Sequence, residues 1–416
     1  MSGHKPNTKT MRHTLCIMLL CVTLAALADD KSRQMTVHNT DGTTTTITLT
    51  DVDSITFHMA EGGNVSATDA RQWYVNIENP SVCRYMNEVD YTDLSTDYTT
   101  TAVKTYANTP SNYIKHYPRG ARITWASTVS PQQITLKCDG MTETISIPEG
   151  SAEYTLTNLM PGKRYEYSLL ADGTTVEKGH FYTVGQVRML YLPSMRNMRD
   201  LGGWTTSDGK RLRYGRLFRG GEMNNYYNIA EGDTHCISPE DSTYMHDVLK
   251  IRLELDLRDD RDLNLKDTDP SNDRNHTELG SDVEYVNLMP NYNHANFIYY
   301  HRDCAYRWGD ALRTVIKGLT EGKNIYFHCV WGADRTGTLA MLIQGLCGVS
   351  QSDIEKEFEL TAFYRDKNRT WDYWGENLEY IKTLSGNTLK EKFETYCKRV
   401  GLTETDIEQL RNELLE

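Results

Sequence analysis

Residues 324–337 read Asn324-Ile325-Tyr326-Phe327-His328-Cys329-Val330-Trp331-Gly332-Ala333-Asp334-Arg335-Thr336-Gly337. An apolar strand candidate, Asn324–Phe327, runs into a short loop, and a helix candidate follows over Thr336–Leu346. Phosphate chemistry wants this order of elements. A helix N-terminus offers unpaired N–H groups and the positive end of its dipole, and a loop curling over it adds further N–H donors. Cys329 at the strand end faces that field, which lowers a thiol pKa and supplies a thiolate nucleophile. Arg335 can grip two phosphate oxygens with its planar fork and stabilise charge in the transition state. Gly332 lets the backbone turn inward. Val330, Trp331, Gly332, Ala333, Asp334 and Arg335 thus form the expected substrate-binding loop, supported by His328. Thr336 is positioned to donate a hydrogen bond that steadies the sulfur as a leaving group.

A bare Cys-x5-Arg is weak, since this composition produces one by chance roughly a third of the time. The neighbours His328, Gly332, Asp334, Thr336 and Gly337 change the odds, and no other cysteine here has Arg six residues later. The bland alternative is an inert, buried cysteine at a strand end.

The loop resembles that of the protein tyrosine phosphatase superfamily. Its HCxxGxDRTG form is similar to the atypical bacterial tyrosine and dual-specificity phosphatases, some of which accept phosphoinositides. Three earlier segments fit that subfamily in order: Asn197-Met198-Arg199-Asp200-Leu201-Gly202-Gly203, Leu217-Phe218-Arg219-Gly220-Gly221 and Leu255-Asp256-Leu257-Arg258. The resemblance spans about 189–400 and implies a phosphocysteine intermediate with no cofactor and no metal. Arg199 and Asp200 are expected as scaffold, as an internal ion pair beside a Gly202-Gly203 turn. Asp256 and Arg258 are expected to support the site or to be structural.

The resemblance suggests Asp334 as the general acid. Asp256 is the next choice and Asp303 a third, because the segment after Met289-Pro290 occupies the place of a movable acid loop. Tyr292, Phe297, Tyr299 and Tyr300 there can line an aromatic pocket or simply pack, and His294 and His301 read as surface residues. Relatives with a taste for phosphoinositides often carry Lys before Asp-Arg. Here that position is Ala333, which tilts the substrate toward a phosphorylated protein or a small phosphate ester. A phosphoinositide or inositol-phosphate phosphatase is the alternative enzyme, and an inactive phosphate-recognising module the alternative of another class.

The rest of the chain is bounded by composition. Its 416 residues exceed one ordinary domain. A net charge of −12 with no long Lys/Arg run argues against general nucleic-acid binding. Residues 1–28 have the layout of a secretory signal: Lys5, Lys9 and Arg12 precede an apolar run from Leu15 to Leu27, which ends at Ala26-Leu27-Ala28. Cleavage near Ala28 implies an exported, periplasmic or secreted protein without stable membrane insertion; a retained anchor is the alternative reading. Seven of nine cysteines survive that cleavage, an odd number, and no CxxC or His-x-x-x-His suggests zinc.

Fold class follows as multidomain. Residues 29–118 read as a β-rich segment and linker, with a hairpin about Asp41-Gly42. Residues 119–188 alternate as short strands and predict an all-β sandwich. There, Trp125 and Leu159-x-Pro161-Gly162-x-x-Tyr165-x-Tyr167 resemble a fibronectin type III module. Residues 189–416 predict an α/β phosphatase domain, a central sheet flanked by helices with a helical C-terminus. Its further strands are expected over Leu249–Leu257 and Val283–Met289. Helices are expected over Pro239–Val248, Cys304–Leu319, Ser352–Tyr364, Glu376–Leu384, Thr388–Val400 and Thr403–Leu415. Ser352 and Glu355 have capping-box spacing.

Overall fold

The structure, a computed structural model, describes residues 34–38, 44–48, 64–65, 74–91, 102–107, 117–225, 235–259, 263, 273–288, 302–364 and 375–416. The chain forms two compact units, Met1–Ile77 with Arg119–Gln186, and Glu78–Pro118 with Val187–Glu416.

In the first unit, Gln34–His38 pairs antiparallel with Thr44–Thr48, as the hairpin reading expects; the turn at Asp41-Gly42 lies outside the described residues. Five strands form one sheet in the order Tyr74–Asn76, Thr174–Val184, Arg164–Ala171, Gln133–Cys138 and Met141–Ser146. Asn64–Val65, Ala121–Thr124 and Glu153–Leu156 form another. Period-two alternation sends Tyr165, Tyr167 and Leu169 to one side, where they share a core with Ile123, Ile134 and Phe181. The Tyr165 hydroxyl accepts a hydrogen bond from the Met160 N–H at 2.8 Å and so ties the strand start to the turn before it.

The second unit holds a sheet ordered Arg199–Asp200, Leu217–Gly220, Asn324–His328, Ile251–Asp256, Glu284–Asn287. The last four strands are parallel, and the first pairs antiparallel with its neighbour. Asn324–His328 lies in the middle, with Gly220 and Asp256 in register with His328 on either side. The site-bearing loop therefore springs from the carboxyl end of a central parallel strand, where α/β sheets place ligands. The helix Asp334–Cys347 is buried from Arg335 to Cys347, which explains its apolar character all round. Helices Pro239–Thr243 (continued by one turn over Tyr244–Val248), Arg302–Thr320, Gln351–Glu359, Glu376–Lys382, Leu389–Arg399 and Glu404–Leu414 also belong to the unit, and the described residues after His328 are largely helical.

Two expectations change. The helix expected at Ser352 begins at Gln351, capped by Ser350, whose side chain accepts from the Asp353 N–H. Ser352 and Glu355 do not form the expected capping box: the Ser352 hydroxyl accepts from the Tyr91 N–H, and Glu355 from Gln351. The polar stretch expected as β-rich linker contributes helices Pro80–Glu88 and Ala102–Ala107 to the second unit. Asn79 caps the first of these, with proline in its first turn. Buried Tyr85 and Tyr91 both donate to the Glu359 carboxylate, and Lys356 donates to the Met86 carbonyl.

Removing one donor from a buried carboxylate leaves it under-satisfied, at a cost of about 1.5–3 kcal/mol. Tyr91→Phe is expected to lower the denaturant midpoint of the second unit by that amount, leaving the unfolding of the first unit unchanged. Fluorescence-monitored urea titration checks this, and an unaltered second transition would show that residues 78–118 do not belong to that unit.

Candidate active site

The loop after Cys329 is held from outside by its carbonyls. His328 Nδ1 contacts the Cys329 carbonyl at 3.2 Å, and the Glu222 N–H donates to the Val330 carbonyl at 3.1 Å. The Asn197 side-chain amide donates to Gly332 at 2.8 Å and Trp331 at 3.4 Å. Arg219 Nη2 donates to the carbonyls of Gly332 at 2.7 Å and Ala333 at 3.3 Å. In a trans peptide the N–H points opposite the preceding C=O. With the carbonyls of 329 to 333 turned to the body, the N–H groups of Val330, Trp331, Gly332, Ala333 and Asp334 turn the other way, into the loop. Gly332 has φ +64°, and a Cβ there would lie 2.3 Å from the Gly220 backbone, so only glycine fits.

Two buried arginines carry that anchoring. Glu357 accepts from Arg199 Nε at 2.7 Å and from Arg219 Nη1. Burial alone opposes ionisation of Glu357, but the two guanidinium charges and their hydrogen bonds bring its pKa below the ordinary carboxylate value. Arg219 is pushed down to about 9 by burial and by its like-charged neighbour Arg199, so it stays a cation at neutral pH. Arg199 also donates to the Asn197 side-chain oxygen, which orients the amide that holds Gly332.

Arg335 occupies the first turn of the helix beginning at Asp334, buried at 5% exposure, and donates to the Leu257 carbonyl at 2.9 Å. The Leu257 N–H in turn donates to the His328 carbonyl, so the guanidinium is tied to the strand end that carries Cys329. A loop of inward amides and an anchored arginine at a helix N-terminus, with a cysteine at the strand end before them, make a cradle suited to an oxyanion.

The sequence profile described as the tyrosine phosphatase family matches residues 190–416. The chain belongs to the tyrosine phosphatase family. It is 27% identical over 176 residues to a Cupriavidus necator protein bearing the provisional name of a tyrosine-protein phosphatase, a match covering 40% of this chain and 60% of that one. Among solved structures, the chain resembles TpbA of P. aeruginosa at 16% identity and a TM-score of 0.27, over 46% of this chain and 96% of that one. It also resembles the core catalytic domain of the PP-IP phosphatase SIW14 of S. cerevisiae, at 16% identity and a TM-score of 0.25, over 44% and 91%.

The remaining family-motif residues have distinct partners. Arg199 and Asp200 do not pair with each other, because successive strand residues point to opposite faces. Arg199 meets Glu357, whereas Asp200 meets Arg188 at 3.1 Å and accepts from the Gly202 and Gly215 N–H groups. Burial pushes Asp200 upward, against those partners. Asp256 is fully buried, and both its oxygens accept from Arg258, with Tyr285 donating at 2.8 Å. Burial raises its pKa, but Arg258 and then His328 outweigh it and hold it down at about 2. Asp256 is thus held toward its ionised form by Arg258, which weighs against its place as second choice for the acid. The stability it contributes is present above ~4, the unfolded value, and is lost as pH falls toward the folded one. Thr336 Oγ1 is buried without a hydrogen-bond partner among the described residues, so the expected bond to the cysteine is not made in this structure. Tyr292, His294, Phe297, Tyr299, Tyr300 and His301 lie outside the described residues, as does the side chain of Asp303.

Sequence reading missed Glu357, Glu254 and the anchoring role of Asn197. Asn197 carries one visible signal, a place in the NMRDLGG motif, and takes φ +53°, a left-handed conformation that asparagine tolerates. The acceptor atoms of Glu254, Asp256 and His328 converge within 4.8 Å. Arg258 fills both oxygens of Asp256, so that convergence is a charge-paired network.

Neutralising Glu357 leaves two buried cations with no counter-charge. Glu357→Gln is expected to cost about 3–5 kcal/mol and to abolish phosphate release, since Arg219 loses the partner that aims it at the loop. Urea unfolding and a phosphate-release assay check this, and a variant of wild-type stability would contradict the anchoring scheme.

Proposed function

We propose that the chain is an exported phosphatase that hydrolyses phosphate monoesters of tyrosine or dual specificity through a phosphocysteine. The observation that carries this is the loop between Cys329 and Arg335, with its carbonyls tied outward and its amides turned in. The Cys329 thiolate attacks phosphorus in line, the P–O bond to the alcohol or phenol breaks, and water then hydrolyses the S–P bond. Arg335 and the amides of Val330 to Asp334 balance the charge on the transferring oxygens.

Asp334, the half-buried first residue of the helix, protonates the leaving oxygen. Its place in the loop itself supports that role, and Arg258 holds the alternative Asp256 toward its ionised form. Trp331 lies in the loop under the Arg196 guanidinium, 4.4 Å from its ring centroid, and offers an aromatic surface beside the phosphate. Ala333, where relatives that take phosphoinositides often carry Lys, favours a simple ester over a multiply charged headgroup. The first unit supplies a fibronectin type III-like module, a reading supported by the Tyr165 hydroxyl bond to the Met160 N–H. Export rests on the leader-like residues 1–28.

Cys329→Ser is expected to lose turnover of p-nitrophenyl phosphate while still binding inorganic phosphate, and undiminished turnover would refute the nucleophile. Asp334→Asn should lower kcat about 10²–10⁴-fold on phenyl phosphate or a phosphotyrosine peptide. On p-nitrophenyl phosphate, whose leaving group needs little proton, the loss should be much smaller. Equal losses on both substrates would remove Asp334 as the acid. A hundredfold preference for phosphoinositides over phosphotyrosine peptides would move the substrate to the lipid class.

A further inference from the structure

One buried carboxylate beneath the loop belongs to no family motif named above. Glu254, on the strand next to the one that carries Cys329, is 1% exposed, and its Oε1 lies 2.9 Å from His328 Nε2. Its Oε2 has no hydrogen-bond partner among the described residues. The other ring nitrogen, Nδ1, lies 3.2 Å from the Cys329 carbonyl oxygen. A carbonyl can only accept, so Nδ1 carries a proton. The Nε2–Oε1 contact holds one proton more, giving either imidazolium with carboxylate or imidazole with carboxylic acid.

The surroundings choose between these forms. The charged and titratable groups facing the ring are Glu254 and Asp256 on the neighbouring strand, Arg258 just beyond it, Tyr326 stacked on the ring at 5.2 Å, and Cys329 itself. Across the other edge of the strand the partner in register is Gly220, which has no side chain. Asp256 lies 3.9 Å from Nε2 and is kept anionic by Arg258. Arg258 is shared between Asp256 and Glu222, so with Glu254 three carboxylates stand against one guanidinium, which leaves a place for a second cation, and the imidazolium fills it.

We propose that Glu254 is a positioning residue for Cys329: it keeps His328 doubly protonated, so that the ring both clamps the Cys329 carbonyl and sets a positive charge next to the sulfur-bearing residue. The clamp turns the Val330 N–H into the loop, the first amide of the cradle, and the charge favours thiolate over thiol. The proposal rests on Cys329 being the phosphatase nucleophile only for its catalytic consequence; the protonation state and the thiol acidity are measurable without turnover.

The test uses the full-length chain. In wild type, ring-nitrogen NMR of His328 should show both nitrogens protonated at about pH 7, above the range where an ordinary histidine is charged. A neutral ring at that pH overturns the proposal. Glu254→Gln keeps the shape and removes the charge, and should raise the pH midpoint of Cys329 alkylation by iodoacetamide, read by peptide mapping. A rise of about one pH unit means about a tenfold smaller thiolate fraction on the acid side. The acid limb of kcat/KM should move with it, while a merely structural role would lower kcat without moving either midpoint. An unchanged alkylation midpoint in folded Glu254→Gln also overturns the proposal. Should that variant fold poorly, the wild-type NMR result decides. If the wild type released no phosphate yet showed the charged ring and the acidic thiol, the phosphatase reading would fall and this one would stand.

Discussion

Two guanidinium groups and one carboxylate, all nearly excluded from water, hold the loop after Cys329 in shape: Arg199 at 1% exposure, Arg219 fully buried, and Glu357 between them. Burying three charges is expensive, and a lone pair in such a place often contributes nothing net to stability. Here the arrangement is offset by the bonds left over. Arg219 spends its remaining donors on Gly332 and Ala333, and Arg199 aims the Asn197 amide at Gly332. The loop carbonyls thus find partners on the protein side, which leaves the amides for a ligand. Loop shape, helix placement and the two family-motif arginines all converge on Glu357.

The same economy explains how an acidic chain can hold an anion. Net charge −12 describes the whole sequence, whereas the site depends on local dipoles and on which cations are left to face it. Arg258 is paired with Asp256 and Glu222, whereas Arg199 and Arg219 share the single carboxylate of Glu357 and so leave a net positive charge behind the loop. Arg335 donates to the neutral Leu257 carbonyl from the first turn of the helix that follows the loop. Backbone amides add positive potential without adding formal charge.

Much of the site was legible because its chemistry is local in sequence. Strand, cysteine, glycine, arginine and helix lie within 324–337, and each residue type has its own physical reason for being there. The partners that hold the loop are not local. Glu357 is 138 residues from Arg219, and Glu254 is 74 from His328; nothing in a helix reading EKEFE or a strand reading RLELD says which carboxylate faces inward. Spacing also misled at Ser352: capping-box spacing is met there, yet Ser350 takes the cap because Ser352 is drawn to the Tyr91 backbone. The helices at Pro80–Glu88 and Ala102–Ala107 were hidden by a polar, tyrosine-rich composition. Their apolar contacts are made by tyrosine rings such as Tyr85 against Phe363, which hydrophobic periodicity undercounts.

The cysteines pose a last constraint. A thiolate beside other reactive thiols is open to exchange and oxidation. Burial pushes the Cys347 thiol up to about 12 and raises Cys397 as well, and burial with nearby Glu278 lifts Cys236 to about 11. None of the three offers a thiolate at neutral pH, so none is a ready resolving partner for Cys329. Cys329 is itself 4% exposed at the end of a strand flanked on both sides. Burial thus keeps the helix cysteines inert, whereas beside Cys329 the strands carry a charged network of Glu254, Asp256 and His328.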